Sequence, residues 1–176
     1  MAAPVDGPTT TATAPRARND IRRRTHPASD EEAAMTTMTT AEYESFIQDG
    51  TRTAKVATVR ADGRPHVTPV WFVLDGSDLV FTTSAHSAKG HDLIRTAQAA
   101  VCVEDDDPPF SFAVVEGTVA TEDEPADVLH WSTRNAARYM GEELAEEYGR
   151  LNAGEGMMTV RLTPTKIIAE KDLTNG

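Results

Sequence analysis

The sequence predicts a mainly β domain of the α+β class, a closed or nearly closed antiparallel barrel of about six strands with peripheral helices. Two observations carry that expectation. Short runs rich in β-branched and aromatic residues recur from TAKVATVR to TKIIAE, and the first three are joined by ADGR and LDGS. Asp-Gly between such runs is the strongest short hairpin signal. Helical patterning, by contrast, is confined to one early segment, one short middle segment and a late pair.

The folded part opens with TTAEYESFIQDG. Thr39 or Thr40 is placed to cap a helix, Tyr43, Phe46 and Ile47 recur at helical spacing, and Gly50 ends it. The period then changes to two through TAKVATVR, PHVTPVWFVL and SDLVFTT, read as a three-strand antiparallel meander. HDLIRTAQ reads as a helix with Leu93, Ile94 and Ala97 on one side and Gly90 permitting close packing there. AAVCVE and FSFAVVEGTVATE follow as strands, broken by the charged, proline-rich turn DDDPP. The segment TEDEPADVLHWSTRNAARYMGEELAEEYGRL is helix-favouring, with acids in its first turn and Gly141 dividing it in two. GMMTVRLTP and TKIIAE are the final strands. Trp71 and Phe72 point to opposite faces of their strand, one toward the core and one toward a site or a partner. Pro69 in mid-strand has no ladder donor, so it suits an edge or a bulge.

Residues 1–38 contain no aromatic residue and are rich in Thr, Ala, Pro and Arg. Such a segment buries too little apolar surface to offset its ordering entropy, and it is expected as a disordered tail ahead of a domain at 39–176. Met35 and Met38 are alternative translation starts to Met1, to be decided by mass spectrometry of the native N-terminus. The chain carries a formal charge of −11, and all of the excess lies after residue 38, where 12 basic residues face 23 acidic ones. That domain repels nucleic acid and anionic membranes, so an anionic ligand requires a local cluster of donors. No apolar run approaches the roughly 20 residues of a membrane span, and no charged-then-apolar leader opens the sequence. The expected location is cytoplasmic, with Cys102 a small strand residue.

Conventional catalytic patterns are missing. The five histidines are scattered without metal-ligand spacing, so no metal site is expected. There is no G-x-S-x-G, P-loop or G-x-G-x-x-G. No catalytic side chain is assigned, and any activity is expected to belong to a bound cofactor. The stretch TTSAHSAKGHDL is the exception. Thr82, Thr83, Ser84 and Ser87 supply hydroxyls, Ser84 or Ser87 is placed as a helix N-cap, and first-turn amides point back to the same spot. Lys89 falls in that first turn, where a cation opposes the helix dipole by roughly 0.3–1 kcal/mol unless an anion compensates. On residues alone, a capped loop and a phosphate cradle both remain open.

The segment TVRADGRPHVTPVWFVLDGSDLVFTTSAHSAKGHDLIRTAQAAVCVEDDDPPFSFAVVEGTV resembles the pyridoxamine-phosphate-oxidase-like split-barrel flavoproteins. Within these it is most similar to the actinobacterial branch of deazaflavin-dependent (coenzyme F420) oxidoreductases. The D-G-R-P-h-V-T-P-V-W hairpin, the T-T-x-x-x-S-x-K segment and the V-E-G-T strand carry the resemblance, which spans roughly residues 40 to 170. It implies a six-stranded antiparallel split β-barrel of the FMN-binding type. It places the cofactor phosphate at Thr82, Thr83, Ser87 and Lys89, and the flavin-type ring along Val67, Thr68, Pro69, Val70 and Trp71. His66 would reach the phosphate or an acidic tail, and Arg60 or Arg64 would receive that tail.

Lys89 is expected in a solvent-accessible cleft. The resemblance implies a homodimer with cofactor sites at the subunit interface, where Trp131, Arg134, Arg138 and Tyr139 would line the partner's cleft. The implied function is hydride transfer between reduced F420 and an unsaturated organic acceptor. The alternatives are an FMN-dependent enzyme of the pyridoxamine-phosphate-oxidase type and a non-catalytic flavin- or deazaflavin-binding protein.

Overall fold

The computed structural model describes residues 36–173. Apart from residues 36–38, the expected N-terminal tail and Met35 lie outside the described residues. Strand β1 (Thr36–Thr37) leads into helix α1 (Thr40–Gln48), followed by β2 (Ala54–Val59), β3 (Pro65–Val70), β4 (Val73–Asp75) and β5 (Asp78–Ser84). Helix α2 (Ala88–Thr96) precedes β6 (Gln98–Asp105) and β7 (Ser111–Glu122). Helix α3 (Pro125–Met140), a 3-10 turn (Glu142–Leu144), α4 (Ala145–Asn152) and the long strand β8 (Met157–Lys171) complete the order. Every strand pair is antiparallel, and the sheet runs β3-β2-β6-β7-β8-β5-β4, with β1 on β8.

The expected α+β antiparallel class holds, but the count of six becomes an eight-stranded sheet that is not closed by hydrogen bonds. Three differences account for this. Thr36 and Thr37, at the end of the segment expected as a tail, pair with Lys171 and Glu170. The last two expected strands are one, because Pro164 does not break β8. It sits opposite Gly117 at a register shift, leaving Thr165 as the extra residue of a bulge. A proline without a ladder donor is tolerated at such a place. Gly117 is needed there, because a Cβ would stand 2.4 Å from the Thr163 carbonyl oxygen.

The third difference is the expected three-strand meander, which is corrected. PHVTPVWFVL breaks at Trp71–Phe72 into β3, which pairs with β2, and β4, which pairs with β5. These halves stand at opposite ends of the sheet, so one continuous segment spans the gap. The bend leaves backbone groups without a ladder partner, and α3 supplies them. The Phe72 N–H donates to Tyr139 Oη at 3.3 Å, and Arg138 Nη1 donates to the Phe72 carbonyl at 3.0 Å. Arg138 also donates to the carbonyls of Ile47 and Gly50, and Tyr139 Oη donates to that of Arg52. Both side chains are therefore engaged by backbone groups of their own chain.

The main core fills the concave side of the sheet with Ile47, Val56, Phe72, Leu79, Phe81 and Leu93 among its most buried members. Helix α1 closes one end. Thr39 caps it in a reciprocal box with Glu42, and Tyr43 and Ile47 are its buried positions. Lys171 at the end of β8 bonds Glu42, and that bond with the Thr39 contacts lowers the Glu42 carboxyl to about 2. On the other side of the sheet Trp131 of α3 packs on Val73 and Val80. Strand β5 is thus covered on both faces, and this fixes the surroundings of the stretch that follows it. Gly141, at φ 87°, ends α3 as expected.

Candidate functional site

Strand alternation sorts the hydroxyls of TTSAHSAKGHDL before any ligand is considered. Leu79, Phe81 and Thr83 point into the core, whereas Val80 and Thr82 face α3. Thr83 is 7% exposed and shares no cavity with Thr82. The chain then turns sharply into α2. Ser87 is the N-cap: its Oγ accepts from the Gly90 N–H at 3.0 Å and donates to the Ser84 carbonyl at 2.8 Å. Its hydroxyl is engaged in the cap, so the capped-loop reading holds for Ser87 itself.

The buried face of α2 is Lys89, Gly90, Asp92 and Leu93. The expected Leu93/Ile94/Ala97 face is corrected, since Ile94 is 54% exposed. Asp92 takes its place as a buried anchor, accepting from Thr58 Oγ1 and Arg95 Nη2, each at 3.1 Å. Gly90 packs on the end of β5 and the turn that follows it. A Cβ there would stand 2.2 Å from the Ser84 carbonyl oxygen and 2.8 Å from that of Ala85.

Lys89 is the central group. Most of its side chain is buried, leaving it 9% exposed, and burial lowers its pKa. Its Nζ lies 5.8 Å from the Phe81 ring centroid, and no carboxylate or hydrogen-bond acceptor among the described residues pairs with it. A largely buried cation whose ammonium meets an aromatic ring and an open cavity, with no anion beside it, is incompletely compensated.

The lysine lines a cavity of about 360 Å3. Pro69, Val70 and Trp71 form one wall and Thr82 and Met157 another. Ser132 and Asn135 of α3, with Tyr148 and Asn152 of α4, form the third. Among the described residues lining it, Lys89 alone carries a formal charge. Ser132 Oγ sits 3.3 Å from both Thr82 Oγ1 and the Asn152 carbonyl. Asn135 is 3% exposed, yet its Oδ1 and Nδ2 are buried without a partner. Trp71 stacks on Tyr139 at 5.0 Å between ring centres with an interplanar angle of 4°, while Phe72 is fully buried.

The cavity therefore gathers Pro69, Val70, Trp71, Thr82 and Lys89 from the sequence expectation. It leaves out Thr83, Ser87, His66, Val67 and Thr68. His66 Nδ1 lies 3.1 Å from Arg60 Nη2, and Arg64 pairs with Asp62 in the β2–β3 turn. Val67 is 59% exposed on β3, which ends the sheet and so accommodates Pro69. Ser132 and Asn135 were missed. Their signal was present, since they share the α3 stripe with Val128, Trp131 and Ala136 and are polar where packing favours apolar residues. No helix among the described residues is long and apolar enough to cross a membrane. Among the same residues no group of three or more His, Cys, Asp or Glu is placed to hold a metal ion.

Residues 39–169 match the profile of the Pyridoxamine 5'-phosphate oxidase family. The chain belongs to this family. Members of the family include oxidoreductases, and its flavin-binding split-barrel fold accounts for the open sheet. Among solved structures, a conserved hypothetical protein of Mycobacterium tuberculosis, Rv2991, is similar at 23% identity and TM-score 0.68 over 80% of this chain and 88% of that one. An F420 reductase is similar at 26% identity and TM-score 0.56, over 70% of this chain and 94% of its own. HutZ, the heme storage protein of Vibrio cholerae, shares the fold at 22% identity and TM-score 0.59, over 74% and 94%. No curated protein sequence matches the chain.

Proposed function

We propose that the protein is an oxidoreductase that takes reduced coenzyme F420 and passes a hydride to an unsaturated organic acceptor. The observation that carries this reading is Lys89, a largely enclosed cation with no counter-ion among the described residues, in a cavity bounded by Trp71. The residues present fit a phosphate-bearing group, because an anion supplies the missing partner and the surrounding groups are hydroxyls and amides rather than carboxylates. Lys89 would hold the phosphate with Thr82 beside it. The exposed edge of β3, with Val67 and Pro69, would carry the ring. The deazaflavin supplies the hydride chemistry when bound. The chain's own task is to orient it, and the aromatic wall at Trp71 excludes water from one side. Solvent, or a hydroxyl such as that of Tyr148, supplies the proton.

The similarity to an F420 reductase supports this choice of cofactor. The family's own description favours a second reading, an FMN-dependent enzyme of the pyridoxamine-phosphate-oxidase type. We also propose that two chains associate, with cofactor sites at their interface, in the cytoplasm. A groove of about 670 Å3 mixes small apolar residues such as Ala57, Val59 and Ala100 with Gln98, Glu116 and several threonines, and with Val59 52% exposed it is a surface that a second copy would cover. Sedimentation velocity is expected to report a dimer, and a monomer at all concentrations would remove that element.

Turnover decides between reductase and carrier. Reduced F420 incubated with the protein is expected to reoxidise only when a quinone or enone acceptor is added. Tight binding of reduced F420 with no acceptor-dependent reoxidation across such a panel would assign a storage role instead.

A further inference from the structure

Trp71 walls the Lys89 cavity from a stretch of chain that no ladder holds. It lies with Phe72 between β3 and β4, where the chain leaves one end of the sheet for the other. Two consecutive residues at the end of α3 secure that bend. Arg138 and Tyr139 bond the Phe72 carbonyl and N–H. The guanidinium carbon of Arg138 lies 4.5 Å from the Phe72 ring centre and 5.3 Å from that of Tyr139. The Tyr139 ring in turn lies nearly parallel to Trp71, in the offset arrangement that aromatic quadrupoles favour. Trp71 lines the cavity and Tyr139 does not, so the tyrosine backs the indole and leaves its cavity side free. Tyr139 is itself fixed. Its Oη donates to the Arg52 carbonyl at 2.8 Å, just ahead of β2, while Arg138 reaches the carbonyls of Ile47 and Gly50 at the end of α1. The same helix brings Ser132 to another wall of the cavity.

We propose that Tyr139 is the positioning residue of this cavity: its ring holds the Trp71 indole as a wall, so that the width of the cavity and its affinity for a ligand follow the seating of α3. An indole already in place need not be ordered by the ligand, whereas a loose one must be fixed at each binding event. The effect on affinity rests on the reading of the Lys89 cavity as the cofactor site; the hold on Trp71 does not.

The chain has two tryptophans, so the 15N-labelled, full-length protein gives two indole N–H signals in its NMR spectrum, and Trp71→Phe assigns them. In the ligand-free wild type, 15N relaxation is expected to find the Trp71 indole as rigid as the backbone of β3. Tyr139→Phe keeps the ring but loses the bonds to Phe72 and Arg52. It is expected to lower the melting temperature while leaving the Trp71 signal in place and cofactor affinity unchanged. Tyr139→Leu removes the stack. It is expected to displace or broaden the Trp71 signal and to weaken whichever of F420 and FMN binds the wild type by roughly two- to tenfold. A residue that merely stabilised the fold would instead let binding follow the melting temperature through both variants. A mobile Trp71 indole in the wild type, a signal that Tyr139→Leu leaves in place, or equal displacement by the two variants would overturn the proposal. Unchanged cofactor affinity beside a displaced indole would remove the effect on binding. If the indole behaves as expected but neither cofactor binds the wild type, the cofactor reading fails and the hold on Trp71 stands. Because the relaxation measurement needs no variant, a Tyr139→Leu chain that fails to fold does not obscure the result.

Discussion

Replacing Lys89 with methionine is expected to make the ligand-free protein more stable while depriving it of its cofactor. The two effects have one cause. Lys89 is mostly buried with no counter-ion among the described residues, so the folded state bears part of the cost of a desolvated charge that methionine of similar length would not incur. The gain is expected on the order of 1 kcal/mol, or roughly 2–5 °C in Tm. The pH dependence gives a sharper signature. Burial lowers the pKa of Lys89 from its ordinary 10.5, so between the lowered value and 10.5 the unfolded chain holds more proton than the folded one. Stability from this group therefore rises with pH across that alkaline window, and the advantage of Lys89→Met shrinks there. Denaturant unfolding of both proteins at neutral and alkaline pH measures it. Binding moves the other way: loss of a charge-assisted contact is expected to cost about 1.5–3 kcal/mol, a weakening of roughly 10- to 150-fold. A variant both less stable and equally able to bind would assign Lys89 to packing.

Gly90→Ala is expected to destabilise the protein and to displace the site together. The new Cβ would meet three backbone atoms, the carbonyl oxygens of Ser84 and Ala85 and the Ala85 carbonyl carbon, within 2.2–2.9 Å. None is the end of a flexible side chain, so the first turn of α2 must shift away from the end of β5. Overpacking of this kind costs about 1–3 kcal/mol, a fall in Tm of roughly 2–15 °C. Lys89 is its chain neighbour, so cofactor affinity is expected to fall with the fold intact. Gly154→Ala is the control, with nothing within 4 Å of its Cβ. Equal melting temperatures for the two variants would show that the approach at Gly90 is not tight.

The elements legible in the sequence were those set by local chemistry. The Asp-Gly turns, a threonine cap at Thr39 or Thr40 and the stop at Gly141 all follow from residues within a few positions of themselves, whereas the strand period alone left open which of Trp71 and Phe72 turns inward. What was not legible depended on distant partners. Nothing in PHVTPVWFVL says that it crosses from one end of the sheet to the other, because the groups that satisfy its bend, Arg138 and Tyr139, lie more than 60 residues away. Pro164 reads as a strand end until Gly117 is placed opposite it. The site divides in the same way. The strand-to-helix turn and its cap were readable, but the burial of Lys89 was not, since α3 and α4 build the wall that encloses its cavity. For the same reason Tyr139, an aromatic residue at the end of an amphipathic helix, gained meaning only when its ring was found against Trp71.

Whether the Lys89 cavity holds the phosphate of a deazaflavin cofactor is decided by an equilibrium titration. Wild type and Lys89→Met, each freed of copurified ligand, would be titrated with F420 and with FMN, following cofactor fluorescence. The expected result is saturable F420 binding to the wild type that outcompetes FMN and is lost in Lys89→Met. Tight FMN binding with no F420 binding, or F420 binding that Lys89→Met leaves unchanged, would contradict it.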